Sequence, residues 1–442
     1  MAMNDKPEIQ CDLLVIGSGM TGMAATLFAA NRGIDIVQVG LAGEMGFASG
    51  FFDLLGVHPA SEGHVWDNPW EGIDALIKSD PRHPYALMKK KEMQAAFSDI
   101  TSFLATNGLP YQVEPDRNLN VITPVGTIKT TYAIPISAQN GVKALAEKAP
   151  CLIVDFKDLK GFSGRQIVET LKKTWPALTT QPVSFPDSTG ELLAEHMALS
   201  LERPKCREQL ADAILPHLDS IRYVGLPAIL GLYQPMAVFD DLQQRLNRPI
   251  FEIPLMPPAI GGLRLRNCFE QALPRLGVRT HYQQKILSVD YLDSHLDSHL
   301  DLHRGSYGFR FNVGRNQPRH VISAKGVILA SGRFIGGGLT SDRKQVSEAL
   351  FNLPVYQPVD RTKWHRKSFL DPKGHPINRF GIMADDHWRP LGKNGKPMYS
   401  GLFAAGSILA HQDWVRQKCG AGLAITTAHA AVNACHRFIE SL

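Results

Sequence analysis

Short apolar runs that end at glycine-rich turns recur along this chain. The run at residues 13–16 leads into the glycine-rich segment 17–22, which is followed by a small-residue stretch at 23–31 and a second apolar run at 34–39. Continuous apolar runs of this length, punctuated by glycine, are typical of buried parallel strands that alternate with helices. The pattern therefore predicts a βαβ unit near the N-terminus.

The same design returns in the C-terminal half. A buried run at 326–332 stops at a small-residue turn, and a second one at 402–407 is followed by a helix that opens at Gly420. Residues 58–254 differ, with amphipathic helical stretches, short strands and many prolines. We therefore expect an α/β fold in which residues 1–57 and 255–442 form one Rossmann-type domain, interrupted by an inserted α+β cap domain over 58–254.

The first glycine-rich turn carries candidate chemistry. Its sequence is Gly17-Ser18-Gly19-Met20-Thr21-Gly22, which matches GxGxxG directly behind a strand and ahead of a helix. Glycines in this context allow a tight turn, so that the helix N-terminus can offer N–H groups to a phosphate or pyrophosphate. An ordinary turn without a ligand is the alternative.

Two later segments extend this signal. VILASG at 327–332 and LFAAGS at 402–407, with the helix from Gly420, are arranged as in flavoproteins of the glutathione-reductase-like FAD/NAD(P)-binding fold. The N-terminus of such a helix stabilises negative charge that develops at the flavin N1–C2=O position. The residues expected to bind the cofactor are Gly17, Ser18, Gly19, Thr21, Gly22, Ser49, Gly50, Ala330, Ser331, Gly332, Gly406, Ser407, Gly420, Ala421 and Gly422.

The type of flavin depends on two departures from the usual pattern. The acidic residue that normally bonds the adenosine ribose at the end of the second strand is replaced by Gly40. Ser407 stands where FAD proteins usually carry an aspartate. Both changes weaken the expected hold on the adenosine half, so we expect FMN, with FAD as the alternative.

Composition excludes several classes of protein. The chain has 442 residues, a net charge of +5 and scattered basic residues apart from the run 89–91, so no nucleic-acid partner is expected. Its six cysteines form no CxxC pair, which argues against an iron–sulfur cluster, a structural zinc or any other metal site. The histidine-containing repeat at 292–303 fits a hairpin extension at least as well as a metal site. Neither a signal peptide nor a membrane-spanning run is expected.

Six blocks give the chain a family resemblance. Together they resemble the B-subunit family of anaerobic glycerol-3-phosphate dehydrogenases over nearly the whole chain. The blocks MPPAIGGLRL and LASGxFxGGGL are much more specific than the glycine motif. The matching segments are FASGFFDLLG (47–56), TPVGTIKTT (123–131), MPPAIGGLRLRN (256–267), VILASGRFIGGGL (327–339), FGIMADDHWRPL (380–391) and LFAAGSIL with CGAGLA (402–424).

The resemblance implies a function and partners. It implies oxidation of sn-glycerol 3-phosphate to dihydroxyacetone phosphate in anaerobic respiration, with a quinone as the indirect electron acceptor. The implied partners are a larger FAD-containing subunit of the same complex, and an iron–sulfur subunit that docks the complex at the membrane. The expected location is therefore cytoplasmic and peripheral, on the inner face of the inner membrane.

Oxidation of an alcohol next to a phosphate needs a hydride acceptor, a proton acceptor and an anion clamp. Arginine and lysine suit the clamp, and the candidates are Arg333, Arg264 and Lys129. His387 and His411 are the candidate bases.

Three alternatives remain open on the sequence alone. The chain either takes the substrate hydride itself or relays electrons from a partner flavoprotein. The second possibility is a stand-alone flavin-dependent dehydrogenase or reductase of another small anion. The third possibility is a flavin-free scaffold that binds the other subunits.

Overall fold

The computed structural model of the chain describes residues 8–41, 44–188, 190–292 and 308–442. Its strands, in chain order, are β1 (Glu8–Ile16), β2 (Ile36–Gly40), β3 (Tyr111–Val113), β4 (Leu119–Ile122), β5 (Ile128–Thr131), β6 (Ala133–Pro135), β7 (Cys151–Phe156), β8 (Leu178–Val183), β9 (Tyr223–Pro227), β10 (Ile250–Ile253), β11 (Arg279–Tyr282), β12 (Lys285–Tyr291), β13 (Phe309–Gly314), β14 (Pro318–Leu329), β15 (Leu339–Ser341), β16 (Val346–Glu348), β17 (Val355–Tyr356), β18 (Gly381–Ile382) and β19 (Leu402–Ala404). Its α-helices are α1 (Met20–Ala30), α2 (Pro69–Ser79), α3 (Lys90–Thr106), α4 (Gln139–Glu147), α5 (Gly164–Leu171), α6 (Ala194–Leu201), α7 (Pro204–Ile214), α8 (Pro235–Leu246), α9 (Ile260–Ala272), α10 (Trp414–Gln417) and α11 (Gly420–Glu440).

The larger sheet carries the predicted βαβ unit. Its strand order is β11-β2-β1-β14-β13-β12, and β19 pairs with β14. Strands β1, β2, β11 and β19 run parallel to their neighbours, whereas β12 and β13 form an antiparallel extension. Parallel strands buried on both faces are apolar throughout, which explains the continuous runs in the sequence.

Helices α1 and α11 pack against each other beside this sheet. Helix α1 is built mostly of small residues and is buried over nearly its whole length, because it lies between the sheet and α11. Together with β1, β14 and β19 these helices contribute to the first core, which also contains the apolar side chains of α2 and α3.

A second core surrounds a smaller sheet. This sheet has the order β10-β9-β7-β8, with every strand parallel to its neighbours, and its helices include α4–α8. The expectation of an α+β cap therefore needs correction, because the centre of the inserted segment is a parallel α/β unit. Two small antiparallel pairs, β3–β6 and β4–β5, lie outside that sheet.

The division between the two cores does not fall at residue 58. Trp70 and Leu76 of α2, and Phe97 and Leu104 of α3, are buried in the first core. The second core is formed mainly by residues 144–260. Residues 58–109 therefore pack with the Rossmann-type part, although the sequence pattern predicts them to be in the inserted domain.

No helix in the described part of the chain has both the length and the apolar character needed to cross a bilayer.

Candidate cofactor and active site

The three glycine segments meet at one edge of the larger sheet. Strands β1, β14 and β19 are parallel neighbours, so their carboxyl ends lie side by side. Gly17 has a φ of +128°, and a Cβ there would collide with the carbonyl oxygen of Ala330. Gly406 has a φ of +79°, and a Cβ there would collide with Thr21 Oγ1. Only glycine fits at both positions, and the contacts join the three predicted segments into one cradle.

The first turn presents a helix N-terminus to this cradle. Helix α1 starts after Gly19, which provides no side-chain cap, and its first turn holds no acidic residue. A Cβ on Gly22 would collide with the carbonyl oxygen of Gly17, so this glycine allows the helix to pack close to the turn. Uncapped N–H groups and the positive end of the helix dipole together suit a phosphate group.

The end of β2 is closed to a larger side chain. A Cβ on Gly40 would lie 2.6 Å from both the backbone nitrogen and Oγ of Ser18. Ser18 Oγ donates a hydrogen bond to the carbonyl oxygen of Leu41 at 2.9 Å. Ser18 therefore takes up the space that the ribose-binding carboxylate of an FAD protein would need.

The N-terminus of α11 faces the loop after β2. Its first turn lacks an acidic residue and a side-chain cap, and Gly422 N donates to the carbonyl oxygen of Asp53 at 2.7 Å. Gly50, with a φ of +86°, lies against Gly261 of α9, where a Cβ on Gly50 would be 3.1 Å from the Gly261 Cα. The glycines of the MPPAIGG block thus let α9 approach this loop.

Among the candidate cofactor serines at the cradle, one has a hydroxyl that the protein itself leaves free. Ser331 Oγ is buried without a hydrogen-bond partner at the end of β14. Ser49 Oγ accepts a bond from Phe51 N at 3.3 Å, whereas the Ser407 carbonyl accepts one from the Gln412 side chain at 3.0 Å. The unpartnered hydroxyl and the two helix N-termini without side-chain caps fit a flavin bound along this cradle.

Lys129 is paired with an acid beside this cradle. Its Nζ lies 3.0 Å from Asp53 Oδ2, and both side chains are largely buried. Asp53 Oδ1 is buried without a hydrogen-bond partner. Lys129 has to leave Asp53, or share it, before it can hold a phosphate.

Arg333 is used mainly within the protein. Its terminal nitrogens donate to the carbonyl oxygens of Ile377 and Asn378, and only Nε is buried without a partner. Burial lowers the pKa of its guanidinium. Arg333 therefore ties the end of β14 to the segment 377–378, and its Nε–H remains available to a ligand.

His411 is the predicted base with the most informative surroundings. It is only 4% exposed, has a φ of +65°, and its Nε2 has no hydrogen-bond partner. Burial, followed by the charges of Arg82 and Arg379, lowers its pKa to about 4. The ring lies 4.1 Å from that of Tyr356, centroid to centroid. The imidazole is therefore neutral at pH 7 and has a free nitrogen.

Two arginines that are not among the predicted site residues lie beside His411. Arg379 donates to the carboxylate of Asp80 and, at 3.1 Å, to the carbonyl oxygen of His411. Arg82 Nε lies 3.6 Å from the same carboxylate, and both arginine side chains remain substantially exposed. Two guanidinium groups share one carboxylate, so this cationic cluster (Arg82, Arg379, Asp80 and His411) has an excess positive charge.

Two of the predicted catalytic residues lie elsewhere. Arg264 is buried and forms a two-point ion pair with Glu252, at 2.6 and 2.8 Å, so its guanidinium is used by the protein and does not form the predicted phosphate clamp. His387 is exposed and contacts Asp386 at 2.7 Å. Among the described residues, no hydrogen bond or ion pair connects His387 to the cationic cluster. Residues 293–303 of the histidine-containing repeat fall outside the described residues.

Comparison with known proteins assigns the family. The model of the FAD binding domain family matches residues 12–423. The chain belongs to this family. This match confirms the prediction, made from the three glycine segments, that the cofactor is a flavin.

Relatives of similar length are named as the same component of one enzyme. The probable B subunit of the anaerobic glycerol-3-phosphate dehydrogenase of Halobacterium salinarum is 28% identical over 98% of this chain and 99% of that protein. The B subunit of the anaerobic glycerol-3-phosphate dehydrogenase of Vibrio cholerae is 27% identical over 95% of each chain. These names confirm the resemblance that the sequence blocks indicated. Among solved structures, the open form of a flavocytochrome c3 fumarate reductase matches 98% of this chain and 79% of that chain, with 10% identity and a TM-score of 0.44.

Proposed function

We propose that this chain is the flavoprotein B subunit of a glycerol-3-phosphate:quinone oxidoreductase that works in anaerobic respiration. The match over nearly the full length of relatives with that name carries the proposal. The cationic cluster supports it, because a phosphorylated alcohol needs positive charge next to a neutral base. The substrate is sn-glycerol 3-phosphate and the product is dihydroxyacetone phosphate.

The residues of the cationic cluster have different roles in the proposed reaction. When bound, the flavin supplies the hydride acceptor. The exposed guanidinium groups of Arg82 and Arg379 hold the phosphate. The His411 ring is neutral at neutral pH, and in the tautomer with its hydrogen on Nδ1 the free Nε2 accepts the proton of the secondary hydroxyl. The doubly charged phosphate offsets the two arginines, and this raises the basicity of His411 once substrate is bound.

The proposal includes two partners in the same complex. One is the larger FAD-containing subunit, the other is the iron–sulfur subunit, and electrons reach the quinone through them. The chain itself is cytoplasmic and is held at the inner face of the inner membrane by the iron–sulfur partner. If the larger FAD-containing partner takes the hydride, the flavin of this chain relays its electrons.

We further propose that the flavin is FMN. Support comes from the end of β2, where Gly40 leaves no carboxylate and Ser18 takes up the adjacent space. A mononucleotide needs only the phosphate-binding helix N-terminus and the flavin cradle. Chromatography of the flavin released from denatured protein tests this directly. Release of FAD, the cofactor in the family's name, would overturn it.

Anaerobic addition of sn-glycerol 3-phosphate to the purified flavin-loaded chain tests the activity. Loss of the flavin absorbance is expected with this substrate and not with glycerol, which lacks the phosphate. Arg82→Ala raises KM at least about tenfold with unchanged flavin content, because a charge-assisted contact is lost. Arg275→Ala, an exposed arginine outside the cluster, is the matched control.

The two routes for the hydride give different results. Bleaching of the isolated chain indicates direct oxidation. Bleaching only after co-purification with the larger FAD-containing partner indicates the relay. No bleaching under either condition, with flavin bound, contradicts the proposed function.

A further inference from the structure

One surface loop holds apolar side chains in solvent. The loop at residues 365–376, called the basic loop below, has Phe369 and Leu370 at its tip, and they are 88% and 83% exposed. Isolated exposed apolar residues are common, but two adjacent large ones exposed to this degree require a reason.

The basic loop is held in shape by hydrogen bonds within it and by one from Arg416. Arg366 N and Nε bond to His375 Nδ1 and the Gly374 carbonyl oxygen, both at 3.0 Å. His375 Nε2 bonds to the Phe369 carbonyl oxygen at 2.9 Å, and Arg416 Nη1 donates to the Asp371 carbonyl oxygen at 3.0 Å. These bonds fix the tip outward, so little ordering entropy is lost when it meets a partner.

Both ends of the basic loop are anchored. Trp364, directly before it, is 2% exposed and packs against Phe380 with ring centroids 5.7 Å apart. Ile377, directly after it, donates its N–H to the Trp364 carbonyl oxygen at 3.1 Å. Through these two residues the basic loop is attached to the first core.

The surroundings of the tip are strongly basic. Between residues 361 and 373 the chain has five basic side chains and one acidic one: Arg361, Lys363, Arg366, Lys367 and Lys373, with Asp371. Lys367 and Lys373 are exposed and have no ion-pair partner among the described residues. Asp371 is paired with Arg366, whose Nε lies 3.8 Å from Asp371 Oδ1, and the same oxygen accepts a bond from the backbone N–H of Lys373 at 2.9 Å. One acid therefore offsets one of the five basic side chains.

We propose that the basic loop docks the chain directly onto an anionic lipid surface, with Phe369 and Leu370 inserted between the headgroups. Apolar insertion combined with basic side chains around it is the pattern by which peripheral proteins bind acidic bilayers. A protein partner would need about 800 Å² of contact on this side. A convex tip with two apolar side chains and a basic surround suits a soft anionic surface better.

Co-sedimentation of the purified full-length chain with vesicles tests the proposal. Vesicles that contain phosphatidylglycerol should bind it at least about tenfold more tightly than phosphatidylcholine vesicles, and added salt should weaken the binding. The double variant Phe369→Ser/Leu370→Ser and the double variant Lys367→Glu/Lys373→Glu should each lose about tenfold or more in affinity.

Matched variants elsewhere on the surface control for hydrophobicity and charge. Leu193→Ser/Leu215→Ser removes two exposed apolar side chains outside the basic loop. Lys91→Glu/Lys143→Glu makes the same change in net charge at two exposed lysines. Both controls should bind the anionic vesicles like the unmodified chain.

A Phe369→Trp variant provides a second reading that does not depend on loss of binding. Its fluorescence should shift to the blue with phosphatidylglycerol vesicles and not with phosphatidylcholine vesicles. Absence of binding by the unmodified chain, or equal binding by the basic-loop and control variants, would overturn the proposal. Self-association in sedimentation velocity that Phe369→Ser/Leu370→Ser abolishes would also overturn it, in favour of a contact between copies.

Discussion

Individual buried charges in this chain connect its two cores. Arg264 on α9 and Glu252 on β10 have side chains only 3% and 4% exposed. Glu252 also accepts hydrogen bonds from Leu230 N at 2.8 Å and Ser137 Oγ at 2.7 Å, and Arg264 Nε donates to the Gly231 carbonyl oxygen at 2.7 Å. The pair is therefore fully hydrogen-bonded, which is the condition under which burial of two charges is tolerated.

Replacement of Arg264 alone should be costly. Arg264→Leu should lower the free energy of unfolding by about 3–5 kcal/mol, because it leaves Glu252 buried without its cation. Urea denaturation followed by circular dichroism measures the change. Arg266→Leu on the same helix is the control, since its pair with Glu270 is at 3.8 Å and partly exposed, and it should cost about 1 kcal/mol or less. Equal losses in the two variants would contradict this account.

Two buried histidines make stability depend on pH. Burial is the main reason that the pKa of His83 is lowered to about 3 and that of His411 to about 4. Between their ordinary value of 6.5 and these values, the unfolded chain binds protons that the folded chain does not. Stability must therefore fall as the pH decreases through this range.

From pH 7 to pH 5, each of these histidines should remove about 2 kcal/mol from the free energy of unfolding. Denaturant titrations at the two pH values measure the change. In His83→Gln, which is fully buried and lies outside the cationic cluster, the loss between the two pH values should be smaller by about 2 kcal/mol. An unchanged pH dependence in that variant would contradict this account, because it would mean that folding does not change the pKa of His83.

Among the elements, the tight turns were the most predictable from sequence. The apolar runs before Gly17 and Gly406 correspond to β1 and β19, and the helix that opens at Gly420 is α11. Glycine is required at these turns because a Cβ would collide with Ala330 or Thr21. A steric requirement that involves so few atoms can be recognised directly in the sequence.

Elements that depend on distant contacts were predicted less well. The amphipathic helical pattern at residues 191–217, within the segment 58–254, forms two helices, α6 and α7, because Pro204 cannot continue the first one. The cationic cluster draws Arg82, Arg379 and His411 from three separate segments, and no spacing links them. The sequence suggested Arg264 as a phosphate clamp, because it does not show that the fold brings β10 next to α9 and pairs Arg264 with Glu252.

The contact between β19 and α1 can be tested at Gly406. Gly406→Ala should unfold more easily and bind less flavin, because the new Cβ strikes Thr21 Oγ1 in addition to the strain of a positive φ. Gly395→Ala is the matched control, since Gly395 has a φ of +73° and open space around a Cβ. The control should lose only about 1–2 kcal/mol and keep its flavin. Equal flavin content in the two variants would contradict the role of Gly406 in the cradle.

At the scale of the whole molecule, the two cores have different roles. The first core carries the cofactor cradle, the cationic cluster and the anchors of the basic loop. The second core, around the β7–β10 sheet, contributes Glu252 to the connection with α9. A ligand that binds the cradle therefore stabilises the first core directly and the second core only through their contacts.

Flavin should consequently shift the unfolding of the two cores unequally. At a flavin concentration about a hundredfold above Kd, the first core gains about 2.7 kcal/mol. Trp175 reports the second core, because it is fully buried there and its Nε1 donates to the Ala149 carbonyl oxygen at 2.8 Å. The difference in fluorescence between the unmodified chain and Trp175→Phe gives the signal of Trp175. On flavin addition, the urea midpoint of this signal should move less than the urea midpoint at which bound flavin is lost. Arg264→Leu should widen the gap between the two midpoints, since it breaks the ion pair that joins the cores. Coincident midpoints with and without flavin, in both backgrounds, would instead mean that the chain unfolds as one cooperative unit.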